Sequence, residues 1–329
     1  MSKPVLYLCH TPYHILTSAA KVLSRPHPAH ILLSQRIVNR AELAPRLTAS
    51  GLFQQVLLPP DQDWPAPVES GWRAAFVHFF HKRAVERSGF RLDPSAYAEL
   101  CLYNDWSNLG RYLQDLGAHY TLGEDVYGYM EAPHSWVEWQ KQQPHYEEQR
   151  RTGKGYLYWG ASPYTTVMEA AHSDRALYWK DRLREFDTMQ ALANLTAPQR
   201  GVLRSIFLSQ EPPAPKPPCC LFLPRCFYID DMVPSQQAQD RLCRDLVEQY
   251  AKGYHLYIKT HPRDLTDYTA LFPDAVVLDR LMPSEVLDYC LDIHFDRAVG
   301  LCSYAIHNLR CADEILDLPE SILEQYQEP

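Results

Sequence analysis

The sequence predicts an α/β protein of two domains, each built on a parallel sheet, and three observations carry that expectation. Short apolar runs alternate with stretches whose apolar residues recur at helical spacing. The alternation occurs in two separate series. Between them lies EPPAPKPP (211–218), five prolines in eight residues. Proline has neither the amide hydrogen nor the dihedral freedom to join a helix or a central strand, so this stretch reads as a stiff linker. The 329 residues are too many for one ordinary core and sufficient for two. The expected division is residues 1–210, the linker 211–218, and residues 219–329.

In the first series, VLYL (5–8) reads as a buried strand, and Ile15, Leu16, Ala19, Ala20 and Leu23 follow at helical spacing. AHILLSQ (29–35) and QQVLLPP (54–60) are further short strands. LCLYND (100–105) and AHYTLGED (118–125) continue the series, each closing on acidic residues. Residues 130–215 change character. SPYTTVMEAAHSDRALYWKDRLREFDTMQAL (162–192) is rich in charged and aromatic residues at helical spacing, so a helical insert is expected there. Beyond the linker, CCLFLPR (219–225) is a strand and SQQAQDRLCRDLVEQYAKG (235–253) a helix closed by Gly253. YHLYIKTHP (254–262) and AVVLD (275–279) are strands and PSEVLDYCL (283–291) a short helix. IHFDRAVGLCSYAIHNL (293–309) gives a strand, a turn and a helix start. The last helix is expected to pack back on the N-terminal domain. Two such halves leave a cleft where ligands sit.

Composition narrows the function classes. With 46% hydrophobic and 22% charged residues the chain has the profile of a soluble protein. A net charge of −8 argues against a nucleic-acid partner but leaves room for a local cationic pocket. The nine cysteines include no C-x-x-C pair, and no signal peptide precedes PVLYLC, so reduced thiols in a cytoplasm are expected. No apolar run reaches the roughly 18–20 residues of a membrane span.

Four clusters carry candidate chemistry. YIKTHPRD (257–264) sets His261 just past a strand end, with Pro262 turning the chain and Lys259 and Arg263 adding charge. A phosphate there would receive charge-assisted hydrogen bonds, whereas the plainer alternative is a solvated basic turn. VGLCSYAIHNL (299–309) places Cys302, Ser303 and Tyr304 at a strand-to-helix junction, an anion seat or an ordinary serine cap. TLGEDVYGY (121–129) holds Glu124 and Asp125 side by side. Adjacent carboxylates disfavour each other's ionisation, which suits one of them to general-base work; an acidic loop is the plainer alternative. CHTPYH (9–14) offers His10, Thr11, Tyr13 and His14 at the end of the first strand, as cleft residues or as satisfied structural polar groups.

Other templates fail or carry little. Neither G-x-G-x-x-G nor G-x-x-x-x-G-K-[ST] is present. DQD (61–63) matches the D-x-D of metal-dependent sugar transferases but sits in a proline-bound loop, so no metal is expected. HFFH (78–81) has metal-compatible spacing without a third ligand. Its helix, within GWRAAFVHFFHKRAVERSGF (71–90), carries aromatics on one side and cations on the other, the pattern of a core-packed helix or of a membrane-surface contact.

Taken in order, these clusters resemble bacterial CMP-sialic-acid-dependent sialyltransferases, in particular the lipooligosaccharide sialyltransferases and their polysialyltransferase relatives. The resemblance runs the length of the chain through short motifs. It implies a GT-B fold, two Rossmann-like domains with an interdomain cleft, the C-terminal one binding the nucleotide. The family's acidic motif falls on Glu124 and Asp125, with Asp125 as base and Val126 where a glycine is usual. Its His-Pro histidine falls on His261, and its hydroxyl-rich motif on Ser303, with Cys302 in place of a second hydroxyl. The implied reaction is inverting and metal-independent. A CMP-nonulosonate serves as co-substrate, no separate cofactor is needed, and the acceptor is an oligosaccharide or glycolipid at the cytoplasmic face of a membrane. His261, if protonated, would offset the charge developing on the departing phosphate. A CDP-glycerol-type or Kdo transferase would share the His-Pro site, and a non-catalytic nucleotide- or glycan-binding protein would keep the same two halves.

Overall fold

Strand after strand, the chain pairs in parallel. The computed structural model describes residues 2–60, 64 and 76–327 and divides into two units, Met1–Leu195 and Thr196–Pro329.

The first unit opens with β1 (Val5–Cys9), α1 (Pro12–Ser24), β2 (Ala29–Leu33), α2 (Arg40–Ala49), β3 (Gln55–Leu57) and α3 (Val77–Arg87). It continues with β4 (Glu99–Leu102), α4 (Asn108–Asp115), β5 (Tyr120–Leu122), α5 (Ser135–Lys141), α6 (Tyr146–Thr152), β6 (Thr165–Ala170), β7 (Leu183–Glu185) and α7 (Thr188–Ala193). The seven strands lie in the order β3-β2-β1-β4-β5-β6-β7. β1 is central, with Val5 opposite both Ala29 and Glu99. Its near-continuous apolar run is buried because helices cover a parallel sheet on both faces. Leu6, Leu8, Leu100, Leu102 and Leu113 join one core with Tyr112 and Tyr120. Thr11 starts α1 by accepting the His14 amide, and Pro12 occupies the first turn, where no amide hydrogen is needed.

The second unit runs α8 (Ala197–Phe207), β8 (Cys219–Leu223), α9 (Gln236–Tyr250), β9 (His255–Ile258), α10 (Tyr268–Leu271), β10 (Val276–Val277), α11 (Ser284–Cys290), β11 (Phe295–Leu301), α12 (Tyr304–His307) and β12 (Ala312–Leu318). Its sheet order is β10-β9-β8-β11-β12, again parallel throughout. Phe222, Leu242, Leu246, Ile258, Val299 and Leu301 form its core. All nine cysteines are free, as expected for reduced thiols.

Three expectations about elements need correction. Residues 162–192 are not a helical insert, because β6 and β7 extend the first sheet there. The β-branched run Thr165, Thr166 and Val167 lies beside β5, with Tyr120 opposite Thr165, and pairing with β5 and β7 outweighs the helical spacing. The division between units falls at Leu195/Thr196, ahead of the proline-rich stretch. α8 packs on α11, and the Tyr257 hydroxyl lies within hydrogen-bond distance of the Pro213 and Ala214 carbonyls, so the prolines are lashed to the second sheet. The terminal helical turn, Glu320–Tyr326, packs on α9 of its own unit, with the Tyr326 hydroxyl bonded to Asp245 at 2.8 Å. The strand β12 before it was not anticipated from the sequence. DQD (61–63) lies outside the described residues.

Candidate functional site

In an open parallel sheet, strand order reverses direction at one point, and the crevice beyond the carboxyl ends there is where ligands bind. The first sheet reverses between β1 and β4, the second between β8 and β11. Each of the four sequence clusters lies just past a strand at or beside one of these points.

In the first unit the residues after β1, β4 and β5 converge. The His10 amide donates to His14 Nδ1 at 3.1 Å. An amide can only donate, so that nitrogen is bare and the ring proton is on Nε2. Nε2–H then reaches the Asp125 backbone oxygen at 3.0 Å and carboxylate Oδ1 at 3.1 Å. Asn104 adds its amide to the same carboxylate oxygen at 3.3 Å. Burial opposes ionisation of Asp125, but the hydrogen bonds from His14 and Asn104 outweigh it and hold the carboxyl below its ordinary value. The His14 side chain is fully enclosed (0% exposed) and stacks on Tyr103 at 4.7 Å, while 26% of the Asp125 side chain remains open. Solvent can therefore reach Asp125 but not His14. Gly123 is required here, since a Cβ would stand 2.7 Å from the Tyr103 ring.

Glu124 points elsewhere. Its carboxylate accepts the amides of Gly128, Met130 and Ala171 at 3.3, 3.0 and 3.0 Å, and only 8% of the residue is exposed. Burial raises its pKa despite those three bonds, with a further push from Glu131. The expected coupling between the adjacent carboxylates is therefore not what sets either one, because their side chains turn to different partners. His10 is buried with both ring nitrogens bonded, Nδ1 to Ser34 Oγ at 2.8 Å and Nε2 to Ser107 Oγ at 3.0 Å. Burial, then the charges of His14 and Arg36, push it down to about 3, so the ring is neutral. Thr11 caps α1, and Tyr13 lies half-buried beside His14, their ring centres 6.4 Å apart.

The second unit gathers cations. His261, half-buried past β9, accepts the Arg263 amide at Nδ1 (3.2 Å), which places its ring proton on Nε2; the Cys226 thiol lies 3.4 Å from Nδ1. Among the described residues nothing bonds Nε2. Burial and the nearby charges of Arg263 and Lys259 bring the imidazole down to about 4, so at neutral pH it is an uncharged N–H donor. Asp230 accepts Arg225 Nε and one Arg263 amino group, both at 2.8 Å, and Arg225 also donates to the Cys302 carbonyl at 3.2 Å. Two guanidinium groups are thus braced beside the imidazole by one carboxylate. The turn through Pro262 is pinned by buried Asp264, which accepts Gln239 (3.0 Å), the Thr266 amide (3.0 Å) and the Tyr268 hydroxyl (2.7 Å).

Two expectations in this cluster change. Lys259 is buried and donates to the Thr260 and Arg280 carbonyls at 2.6 and 3.5 Å; burial lowers it to about 8. Its ammonium is committed to the backbone. Ser303 does precede α12, with Tyr304 as the first helical residue, but the helix has only four residues and Ser303 makes no side-chain cap, so the dipole there is slight. Cys302 holds the left-handed backbone (φ 53°) that turns the chain out of β11.

Sequence reasoning missed Arg225, Asp230 and Asn104. Arg225 stands just past β8 as His261 stands just past β9, so the same strand-end rule would have found it. Asp230 and Asn104 carry no local signal, because Asp230 is shared with Arg263 and Asn104 serves Asp125, each from a separate segment. On α3 the aromatics do not enter the core: Val77, His81 and Val85 are buried, while Phe79 (57%) and Phe80 (40%) are exposed. His78 and His81 of HFFH both bond Asp115, at 2.9 and 2.5 Å.

No family model matches the chain. An uncharacterised protein of Haemophilus influenzae is 37% identical over 76 residues, 23% of this chain and 24% of that protein's length. Two solved structures share the fold at low identity. The GT-B domain of a sialyltransferase from Photobacterium damselae aligns at TM-score 0.53 and 14% identity, covering 96% of this chain and 90% of that one. An α/β-galactoside α-2,3-sialyltransferase from Photobacterium phosphoreum aligns at TM-score 0.53 and 10% identity over the same shares. Two parallel-sheet, Rossmann-like units in this likeness define a GT-B fold, the class of architecture to which those glycosyltransferases belong.

Proposed function

We propose that the protein is an inverting glycosyltransferase that moves sialic acid or a related nonulosonate from its CMP-activated form to a hydroxyl of a bacterial surface glycan. One observation carries the reading: a one-sided imidazole, His261, flanked by the Asp230-braced guanidinium groups of Arg225 and Arg263 at the second sheet's switch point. Such a seat suits a single phosphate. Two fixed cations and an Nε2–H donor stabilise charge on the leaving group as it develops, and this charge supply makes a metal ion unnecessary.

Asp125 is the base in this reading. It is ionised, reachable, and oriented by His14 and Asn104. The acceptor hydroxyl transfers its proton to the Asp125 carboxylate while its oxygen attacks the anomeric carbon. The bond from that carbon to the phosphate oxygen breaks on the opposite face, and CMP leaves with its new charge facing His261. Opposed attack and departure invert the centre. Bound phosphate also raises the imidazole pKa, since an anion favours the charged ring. Glu124 is left to hold the loop, and the expectation of a base narrows to its neighbour.

The exposed Phe76, Phe79 and Phe80 beside Lys82, Arg83 and Arg87 on and next to α3 fit peripheral contact with an anionic lipid surface, where a glycolipid acceptor resides. Loss of vesicle co-sedimentation in the F79S/F80S variant is the expected result; undiminished binding removes this contact.

The deciding experiment is donor hydrolysis across CMP-, CDP- and UDP-sugars, with and without a chelator. CMP release from CMP-sialate that is insensitive to chelation is expected. Preference for CDP-glycerol or CMP-Kdo would move the assignment to those transferases, and binding without turnover would leave a non-catalytic protein.

A further inference from the structure

Next to His10 the first unit holds an open cavity of ≈ 460 Å³, lined among others by Gln35, Arg36, Trp64, Trp106, Ser107 and Arg111. Its charge is unusual for a chain of net charge −8. Arg36 lies over the Trp106 ring, 4.6 Å from its centroid. Arg111 donates to the Tyr158 hydroxyl at 2.9 Å and to Asn108 Oδ1 at 3.3 Å. Among the described residues neither guanidinium meets a carboxylate, whereas Arg184 of the same unit is paired with both Glu99 and Glu169. The wall thus has positive charge in excess, set beside tryptophan side chains, a combination that recognises an oxygen-rich anion on a ring-shaped ligand. A chain of contacts links it to Asp125. His10 is part of the wall, its amide fixes His14, and His14 fixes Asp125.

We infer that this cavity seats the acceptor, and that the acceptor carries an acidic group, a carboxylate or a phosphate, on or beside the sugar bearing the reacting hydroxyl. The inference rests on the sugar-transfer reading above and specifies the substrate it takes. Arg36 and Arg111 hold the acid, the tryptophan faces pack against the sugar, and the hydroxyl is delivered toward Asp125. A neutral galactoside fills the same space while leaving both guanidinium groups without an anion.

The test compares three matched probes on the full chain: methyl β-galactoside, methyl β-galacturonide and methyl β-galactoside 6-phosphate. Calorimetric dissociation constants, measured with CMP present, are expected to favour at least one acid-bearing probe by about tenfold or more, corresponding to about 1.4 kcal/mol. The preference should shrink as salt rises. Whichever acid is favoured identifies the group. Arg36→Gln and Arg111→Gln should each abolish most of the preference, with Arg36→Lys restoring part of it. Arg36 makes no side-chain hydrogen bond to other described side chains, so its variant remains informative if loss of the Arg111–Tyr158 bond unfolds the other. Equal affinity for all three probes, or an acid preference untouched in Arg36→Gln, overturns the inference. Donor hydrolysis by the unaltered protein separates the two readings. Hydrolysis without acid preference removes this inference alone; acid preference without hydrolysis of any nucleotide sugar removes the transferase reading and leaves an acidic-sugar site.

Discussion

The two units place opposite chemistry at the same topological address. In the first, the residues past β1, β4 and β5 enclose two histidines, His10 and His14, and present one ionised carboxylate, Asp125. In the second, the residues past β8 and β9 present a neutral imidazole between two arginines, with Asp230 locked between them. Identical sheet logic therefore delivers an open carboxylate in one unit and a cluster of cations around an imidazole in the other. The difference lies in which side chains the loops carry, since a parallel sheet fixes only where they converge.

The comparison can be broken most severely at Asp125. Asp125→Asn retains the shape and the His14 bond but removes the base, and transfer should fall about 10²–10⁴-fold with the melting temperature little changed. Wild-type turnover in this variant would remove the base assignment. His261→Ala should lower CMP-sugar hydrolysis roughly 10²–10³-fold by deleting a donor to the leaving group, measured as kcat with donor saturating. Asp230→Ala should act on binding more than on chemistry. Freed arginines lose their fixed geometry, and CMP affinity should drop about tenfold, or about 1.4 kcal/mol, by calorimetry. Glu124→Gln sharpens the contrast from the structural side. One amide oxygen cannot replace a carboxylate that accepts three amides, so unfolding free energy should fall by about 1–3 kcal/mol while donor hydrolysis by the folded fraction persists.

The last contrast is in pH dependence. His10 is held near pKa 3, so near pH 6.5 the unfolded chain binds a proton that the folded chain refuses. The stability contributed by neutral His10 is complete above pH 6.5 and is lost as pH falls towards 3. Urea unfolding at pH 7, 5.5 and 4 should show this loss, with a shallower slope in His10→Gln. An identical slope in the variant would mean that other groups govern the acid limb.

Much of this was legible in the sequence, for definite reasons. Alternating apolar runs and helical repeats report a parallel sheet directly, and both sheets follow from them. β6 was hidden because charged and aromatic residues around Thr165–Ala170 happen to fall at helical spacing, while pairing with β5 decides the outcome. His261 was visible because a histidine and proline past a strand are locally distinctive. Its protonation was not, since burial and the charges of Arg263 and Lys259 are tertiary facts. Glu124 and Asp125 are indistinguishable as neighbours in a loop. Only the partners, backbone amides for one and His14 with Asn104 for the other, give them different work. The Arg36 and Arg111 pair had no sequence signature, because β2 and α4 bring it together through the fold.

The central claim is that the imidazole of His261 faces a nucleotide phosphate. Its most direct test is the NMR titration of the His261 ring, assigned by comparison with His261→Gln, in the free protein and with saturating CMP. A pKa near 4 without nucleotide, moving up by at least one unit when CMP binds, is the predicted result. A ring whose titration is the same with and without bound CMP would contradict it.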